Sequence, residues 1–331
     1  MKHKILLLDA RDIRKIFTMK EAVKTTEKAF KDFASGRARM PVKVYLDLPE
    51  YNGDFRAMPA FMPSPPLAGV KWVNSHPDNA KRKLPSVMAM MIVNDAKTAA
   101  PLAVMDATHI TSMRTGAAGA IAIKHLAKKN SKIVSVIGGG NQAFFQTLGA
   151  VQVLPGIKTI RYYDLSRKAM MEIKNKVSVI FKGEIILSSS AEECIRGSDI
   201  IITTTASRKP VVMNDWIERG LHINAIGADA PEKQELDPAI LKRSKIIVDD
   251  HEQASHSGEI NVPLQRGEII ADDIVSSLGN AIIKKNIRKS DDEITVFDST
   301  GLAIQDIYAA SFIIREAKKQ KFGKTFDFYT G

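Results

Sequence analysis

VSVIGGGNQA, residues 134–143, places three glycines between a β-branched apolar run and a segment with helical spacing. The pattern matches G-x-G-x-x-A, in which the first glycine makes the turn, the second lets the backbone meet a pyrophosphate, and the small last residue lets helix and strand pack closely. The helix N-terminus offers free amides and a partial positive charge to the phosphates. The stretch therefore predicts a dinucleotide site rather than a plain turn. The predicted cofactor-binding residues of this loop are Gly138, Gly140, Asn141, Gln142 and Ala143.

Strand and helix patterns alternate from residue 132 onward, and this alternation is typical of parallel strands joined by crossover helices. Helical periodicity occupies residues 141–153 and 167–179. The predicted strands are 132–137, 159–164, 185–187, 199–204, 222–226, 245–249 and 294–298. The pattern predicts an α/β fold class with a Rossmann-type, doubly wound nucleotide domain.

Asp164 ends the strand that follows the loop, 21 residues after the glycine motif. A carboxylate at about this offset, roughly 20 residues, hydrogen-bonds the adenosine ribose in dinucleotide folds. It also repels a 2′-phosphate, so NAD is predicted in preference to NADP. NADP stays possible because Ser166 and Arg167 follow closely and can accommodate such a phosphate.

Thr204 and Thr205 close another predicted strand at the carboxyl edge of the sheet. Ligands of open α/β sheets bind in the crevice at this edge. The two hydroxyls are therefore predicted to line the cofactor. The alternative is that they are simply β-branched residues that end a strand.

The first third of the chain has a different pattern, with apolar runs separated by Gly, Pro and Asn turns. These runs, at 42–48, 67–74 and 87–93, predict mainly antiparallel strands. A helix is predicted over 20–34, opened by a capping box from Thr18 to Glu21. Further helices are predicted at 108–128 and 300–320, the last packing back on the first domain. The chain is thus predicted to contain a discontinuous α+β substrate domain, residues 1–115 and 304–331, around a nucleotide domain at 116–303.

Composition sets the outer limits on function. The chain has 331 residues, of which 44% are hydrophobic and 26% charged, as expected for a soluble globular protein of about two domains. No apolar run approaches the ~18 residues of a membrane span, and the amino terminus does not resemble a signal peptide, so a cytoplasmic protein with no membrane partner is predicted. The net charge of +11 comes from scattered lysines and arginines, which argues against a nucleic-acid partner. No metal is predicted, because His251 and His256 lack the i, i+4 interval.

Three charged residues lie inside otherwise apolar runs and are candidates for substrate chemistry. Lys71 stands between Val70 and Trp72, where an ammonium group requires an anionic partner or a lowered pKa. Arg56 is suited to bidentate binding of a carboxylate. Asp229 follows a predicted strand, where a loop can present it over a nicotinamide. Their joint occurrence beside a dinucleotide fold favours a catalytic interpretation over three surface charges.

Six ordered motifs make the chain resemble the ornithine cyclodeaminase/μ-crystallin family over nearly its whole length. They are RAMPA at 56–60, GVKWVNSHP at 69–77, PLAVMDA at 101–107, MRTGAA at 113–118, INAIGAD at 223–229 and FDSTGLAIQD at 297–306. Within that family the sequence looks most like the branch of alanine dehydrogenases, of archaeal type. The resemblance implies a homodimer formed through the first domain, which would then also be a dimerisation domain.

The resemblance also implies roles for individual residues. Arg56 and Lys71 would hold the substrate carboxylate, and Lys71 would help to polarise a carbonyl or imine. Asp229 would act as the acid or base that manages the amine and the attacking water. The remaining implied contacts are Arg114 and Thr115 to substrate or cofactor phosphate, and Ser86, Lys233 and Ser299 to the nicotinamide side.

The activity implied by the resemblance is NAD-dependent oxidation of an L-amino acid to a 2-oxo acid and ammonium, most simply of L-alanine. The short segment 51–56 favours a small substrate side chain. Three alternatives remain: cyclodeamination of ornithine to proline, reduction of a cyclic imine such as pyrroline-2-carboxylate, and ligand binding without catalysis, as in a crystallin. Retention of both Lys71 and Asp229 argues against the last.

Overall fold

The computed structural model describes residues 3–329, which divide into two compact units. Unit 1 comprises Met1–Arg114 with Leu302–Gly331, and unit 2 comprises Thr115–Gly301. No helix within the described part of the chain is both long enough and apolar enough to cross a bilayer.

The strands are β1 His3–Leu8, β2 Val44–Leu48, β3 Gly53–Pro63, β4 Pro66–Ser75, β5 Ala89–Asp95, β6 Pro101–Asp106, β7 Ile133–Ile137, β8 Thr159–Tyr163, β9 Glu184–Leu187, β10 Ile200–Thr203, β11 His222–Ala225, β12 Ser244–Val248, β13 Ile274–Ser277, β14 Ile294–Asp298 and β15 Lys324–Tyr329. The α-helices are α1 Ala10–Ile16, α2 Met19–Ala34, α3 Thr108–Leu126, α4 Asn141–Val153, α5 Arg167–Val177, α6 Ala191–Ile195, α7 Pro238–Lys242, α8 His251–Ser257, α9 Asn261–Gln265, α10 Leu278–Lys284 and α11 Ala303–Gln320. Four short 3-10 helices lie in the connections of the described chain.

Unit 1 is a seven-stranded sheet in the order β15-β1-β6-β5-β4-β3-β2, antiparallel except where β1 meets β6. Helix α11 packs on β3 and β4, and α2 packs on α11, so one face of the sheet is covered. Burial alternates along β3 and β5 as expected for strands with one covered face. The last helix therefore returns to the first domain as predicted.

Unit 2 is an eight-stranded parallel sheet in the order β13-β12-β14-β11-β10-β7-β8-β9. Its central strand β10 is buried along its whole length, which is typical of parallel sheets covered on both faces. The strand order reverses direction between β7 and β10, and the glycine loop follows β7. The predicted α/β fold class, with its doubly wound nucleotide domain and discontinuous α+β domain, is confirmed.

Some local predictions differ from the structure. The capping box at Thr18 is wrong: the Thr18 hydroxyl donates to the Glu21 carboxylate, and no side chain caps the backbone amides there. The sequence pattern does not predict strand β3, because Pro59 lies inside it and a proline is rare within a sheet. It does not predict strand β15 either, because this strand is defined by its pairing with β1.

Candidate active site

Lys71 lies in the middle of β4 on the face of the sheet that α11 covers. Its side chain is 0% exposed, and its Nζ donates to Asp306 Oδ2 at 2.6 Å. Burial and the neighbouring Arg114 guanidinium lower the Lys71 pKa from 10.5 to about 7, against the opposing effect of Asp306. A lysine with this pKa exchanges a proton readily near neutral pH.

Asp306 gathers two cations of unit 1 at one carboxylate. It lies in the first turn of α11 and is 0% exposed. While Oδ2 accepts from Lys71, Oδ1 accepts from Arg114 Nε at 3.2 Å, and Gln305 Oε1 accepts from Arg114 Nη1 at 2.9 Å. The structure thus brings the predicted residues Lys71 and Arg114 together. Sequence reasoning assigned no role to Gln305 or Asp306, although both end the last family motif.

Arg56 is buried on β3, and the carboxylate of Asp54, two residues earlier on the same strand, holds its guanidinium group. Its Nε and Nη2 donate to the two Asp54 oxygens at 2.8 and 3.0 Å, a bidentate pair. Its guanidinium also lies 5.3 Å from the centroid of the Tyr45 ring. In the register of β3 and β4, Arg56 stands opposite Val73, so its side chain and that of Lys71 share one face.

Lys43 is a further cation of unit 1 that sequence reasoning missed. It precedes β2, is only 6% exposed, and places its Nζ 5.8 Å from the Tyr45 ring centroid. Its charge is one of the causes that lower the Lys71 pKa. Lys43 lies inside the apolar run 42–48, so it carried the same signal as Lys71, a cation within a predicted strand. Four buried cations, Lys43, Arg56, Lys71 and Arg114, therefore lie in unit 1 and favour an anionic ligand there.

The glycine loop of unit 2 has the geometry that a pyrophosphate requires. Gly138 has a φ of +105°, and a Cβ on it would lie 2.7 Å from Thr204 Oγ1. Gly140 is the N-cap of α4, and a Cβ there would meet nothing within 4 Å, so its outer side is open. Ala143 is completely buried against the sheet. A turn, an open approach to a helix N-terminus and a packed third position together fit a dinucleotide phosphate.

Asp164 connects the glycine loop to the start of α5. Its Oδ2 accepts from the Gly139 amide at 2.7 Å and its Oδ1 accepts from the Ser166 amide at 2.7 Å. The Ser166 hydroxyl in turn caps α5, and Arg167 opens that helix on its exposed side. The predicted ribose carboxylate thus lies directly beside the loop, with lone pairs left for a ligand.

The predicted threonines have different partners. Thr204 packs on Gly138 and donates to the Ile137 carbonyl at 3.3 Å, so it shapes the loop. The Thr205 amide donates to Glu235 Oε1 at 2.6 Å. In the first turn of α4, Asn141 is exposed and Gln142 is half-buried.

Asp229 and Lys233 face each other in the segment after β11. Lys233 Nζ donates to Asp229 Oδ1 at 2.6 Å, and both side chains are partly exposed.

Ser299 follows β14, is 3% exposed, and its hydroxyl has no hydrogen-bond partner among residues 3–329. An orphaned buried hydroxyl at the carboxyl edge of the sheet is the kind of group that a bound ligand satisfies.

Two other predicted residues, Ser86 and Thr115, accept hydrogen bonds from the rest of the chain through their backbone carbonyls. Ser86 is exposed in unit 1, and its carbonyl accepts from the His76 amide at 2.8 Å. Thr115 opens the part of α3 that belongs to unit 2, and its carbonyl accepts from Gln146 Nε2 at 2.9 Å. Contacts of Ser86 and Thr115 with a cofactor stay predictions, as do the roles assigned to every other candidate residue.

Comparison with known proteins places these features in a family. The alanine dehydrogenase of Archaeoglobus fulgidus is 48% identical over 325 residues, covering 98% of each chain. The structure superposes with a TM-score of 0.94 on an archaeal alanine dehydrogenase dimer with bound NAD, which is 47% identical and matches 99% of this chain and 100% of the other.

A second solved structure is equally similar in shape. The Δ1-pyrroline-2-carboxylate reductase of Thermococcus litoralis, in complex with NADH and L-proline, has a TM-score of 0.94 at 36% identity, covering 97% of this chain and 99% of the other. The profile of one family matches residues 3–321. The chain belongs to the ornithine cyclodeaminase/mu-crystallin family.

Proposed function

We propose that this chain is an NAD-dependent L-alanine dehydrogenase, which converts L-alanine, NAD⁺ and water to pyruvate, ammonium, NADH and a proton. The observation that carries the proposal is Lys71, a buried lysine with a pKa of about 7 held beside Arg114. The identity of 48% to an alanine dehydrogenase over 98% of the chain supports this choice of substrate.

The cofactor proposal is supported by the fit of unit 2 to a dinucleotide. Gly138 and Gly140 would admit the pyrophosphate, Asp164 would hold the adenosine ribose, and Ser299 would donate to the nicotinamide side. NAD⁺, when bound, accepts the α-hydrogen of the amino acid as hydride. We propose NAD rather than NADP because the Asp164 carboxylate repels a 2′-phosphate.

The residues of the chain perform the remaining steps. Arg56 and Arg114 bind the substrate carboxylate as rigid guanidinium groups. Lys71 holds the substrate carboxylate and polarises the imine, and its lowered pKa lets it give or take a proton there. Asp229 takes the proton of the attacking water and returns a proton to the departing amine.

The proposal is tested with purified protein and three substrates. NADH formation is followed with NAD⁺ and L-alanine, proline formation with L-ornithine, and NADH consumption with pyrroline-2-carboxylate. We expect NADH from L-alanine at a rate well above that with L-ornithine. Conversion of ornithine to proline without net NADH would refute the dehydrogenase. Faster turnover of the cyclic imine would favour a reductase, the activity named for the Thermococcus litoralis structure.

Homodimerisation through unit 1 is proposed from the uncovered face of its sheet. Val44, Trp72, Met90 and Ile92 point away from α11 and are 62%, 42%, 59% and 44% exposed. An apolar surface of this extent on several adjacent strands marks an association site. The related archaeal alanine dehydrogenase is a dimer, which supports a second copy as the occupant.

The dimer is tested by light scattering. Met90→Glu should convert the dimer to a monomer, because it places a charge in the apolar face. Val179→Glu is the matched control, since Val179 is 74% exposed but belongs to unit 2. If both variants remain dimers, this face is not the interface. The domain boundaries predicted from sequence and a cytoplasmic location stay predictions.

A further inference from the structure

Glu235 is a buried carboxylate at which the ends of two strands of unit 2 meet. It is 0% exposed. Its Oε1 accepts from the Thr205 amide at 2.6 Å, and its Oε2 accepts from the Thr203 hydroxyl at 2.7 Å and the Gly227 amide at 2.8 Å. Thr203 ends β10, and Gly227 is the second residue after the end of β11. One side chain therefore ties the carboxyl ends of two neighbouring strands.

The approach of Glu235 to Gly227 depends on the glycine. A Cβ at Gly227 would lie 2.6 Å from Glu235 Cδ and 2.1 Å from the Thr205 carbonyl oxygen. Any larger residue would separate the carboxylate from the strand ends. The contact therefore depends on the residue type at both positions, a glutamate at 235 and a glycine at 227.

The same contact closes the segment that carries Asp229 and Lys233. The segment runs from Gly227 to Glu235, and the Gly227 amide donates a hydrogen bond to the Glu235 carboxylate. Within it, the Asp229 amide donates to the Gly227 carbonyl at 3.0 Å. Because Glu235 holds Gly227 and the Gly227 carbonyl holds the Asp229 amide, Glu235 fixes the backbone position of Asp229.

A carboxylate suits this place better than an amide. All three partners of Glu235 donate, and its two oxygens accept from them. Burial raises the Glu235 pKa, while the three donors favour the ionised form. One backbone amide donates to each oxygen, so a side chain with a single acceptor oxygen could satisfy only one of the two amides.

We propose that Glu235 is a positioning residue that fixes Thr205 and Asp229 for the nicotinamide half of the cofactor. The inference rests on the proposed NAD site, because it assigns to that site a part outside direct ligand contact. Glu259 provides the contrast. It is equally buried, but among residues 3–329 its carboxylate accepts from the Glu235 and Leu236 amides, with Oε1 reaching both at 3.0 and 2.7 Å and Oε2 reaching the Glu235 amide at 3.0 Å.

The experiment compares Glu235→Gln with Glu259→Gln. A glutamine at 235 has one acceptor oxygen and loses the hydrogen bond of at least one backbone amide. A glutamine at 259 loses the contact of Oε2 with the Glu235 amide but keeps a hydrogen bond to both amides through the oxygen in the place of Oε1. We expect NADH affinity, measured by fluorescence titration, to fall about tenfold for Glu235→Gln and to stay within twofold for Glu259→Gln. Equal affinities of the two variants would overturn the proposal.

A second pair keeps the test valid if the glutamine variant fails to fold. Thr203→Val removes the hydroxyl that Glu235 accepts, while Thr203→Ser keeps it and loses only a methyl group. We expect at least threefold weaker NADH affinity for valine and recovery with serine. If serine is the more damaging change, packing rather than the hydrogen bond to Glu235 is responsible, and the proposal is wrong.

Hydrogen exchange separates this proposal from the proposed function. The Thr205 and Gly227 amides should exchange faster in Glu235→Gln than in the wild type or in Glu259→Gln, whether or not a cofactor is bound. Unchanged exchange would overturn the positioning role of Glu235. If the wild-type protein binds NADH but does not oxidise L-alanine, the proposed substrate is wrong while the role of Glu235 is still tested.

Discussion

The two units each bury a cluster of charged side chains, but they satisfy those charges differently. In unit 1, Lys71 and Arg114 share the Asp306 carboxylate, so the charges are balanced by side chains from β4, α3 and α11. In unit 2, Glu235 and Glu259 accept mainly from backbone amides, and Asp298 Oδ2 accepts from the Ile260 amide. The first cluster is cationic and the second is acidic.

Burial pushes both clusters toward neutrality, in opposite directions. It lowers the Lys71 pKa to about 7 and raises the Asp298 pKa to about 8. In the cationic cluster the effect places a mobile proton among groups suited to an anionic substrate. In the acidic cluster the Glu235 carboxylate holds two strand ends together. The same desolvation therefore serves chemistry in one unit and positioning in the other.

The largest expected effect comes from removing the cation of the first cluster. Lys71→Ala should lower kcat with L-alanine by about 10³-fold, since a positioned acid or base contributes 10²–10⁴-fold. NADH affinity should stay near normal, because the predicted cofactor residues lie mainly in unit 2. Steady-state kinetics and fluorescence titration measure the two quantities.

Lys28→Ala is the matched control for Lys71→Ala. Lys28 is also a lysine of unit 1, and its Nζ lies 5.7 Å from the Tyr308 ring centroid rather than beside Asp306. Its replacement should leave kcat within twofold. Near-normal turnover of Lys71→Ala would remove this lysine from the mechanism and with it the contrast between the clusters.

Removing the anion of the same cluster should have the next largest effect. Asp306→Asn should lower kcat by about 100-fold, because misplacement of a reacting group by about 1 Å has this effect. The Lys71 pKa should also fall below about 7, since Asp306 is the neighbour that raises it. The limb of the pH–rate profile near pH 7 should therefore move to lower pH, whichever form of Lys71 is active.

Asp32→Asn controls for loss of a buried carboxylate of unit 1 that lies on α2 rather than on α11. Asp32 accepts from the Tyr308 hydroxyl of α11 and does not contact Lys71. We expect a lower melting temperature for both variants but a shifted pH profile only for Asp306→Asn. A limb that stays in place would show that Asp306 does not set the charge of Lys71.

The two clusters also show what the sequence reveals. Lys71 was predicted because a cation inside an apolar strand is conspicuous in the sequence. Its partner Asp306 lies 235 residues away, at the start of a helix where acidic residues are common. No local pattern connects the two, so only the return of α11 to β3 and β4 brings them together.

The acidic cluster was invisible for a different reason. Glu235 and Glu259 accept mainly from backbone amides, and Asp298 Oδ2 accepts from the Ile260 amide. Every residue except proline has such an amide, so the sequence does not mark these partners. The glycine loop, in contrast, was predictable, because the motif, the strand before it and Asp164 all lie within a short segment. Local chemistry can be predicted from sequence, whereas side chains held by distant backbone cannot.

Asp164→Ala tests the predicted ribose contact, with an expected effect of about tenfold on kcat/KM for NAD⁺. The variant should also lower the ratio of kcat/KM for NAD⁺ to kcat/KM for NADP⁺. NAD⁺ loses a ribose contact, whereas NADP⁺ is no longer repelled through its 2′-phosphate, so the change in this ratio should exceed the change in affinity for either cofactor. Asp164 also accepts from the Gly139 amide, and losing that bond should weaken both cofactors alike. An unchanged ratio would therefore limit Asp164 to supporting the loop.

The smallest expected effect is on stability, and it has opposite signs in the two units. The Asp298 pKa is raised from 3.8 to about 8, so its stabilising contribution is complete below pH 3.8 and is lost as the pH rises through about 8. Asp298→Asn removes this titration. Relative to that variant, the wild type should lose stability toward pH 8 with a slope of at most about 1.4 kcal/mol per pH unit. Urea unfolding at several pH values measures it.

Lys71→Met provides the opposite case. The Lys71 pKa is lowered from 10.5 to about 7, so its charged form opposes folding, and the opposition disappears as the pH rises from about 7 to 10.5. Relative to Lys71→Met, the wild type should therefore gain stability over that window. Slopes of the same sign in both variants would mean that a general change in charge, rather than burial of these two groups, controls the pH dependence, and the contrast between the clusters would fail.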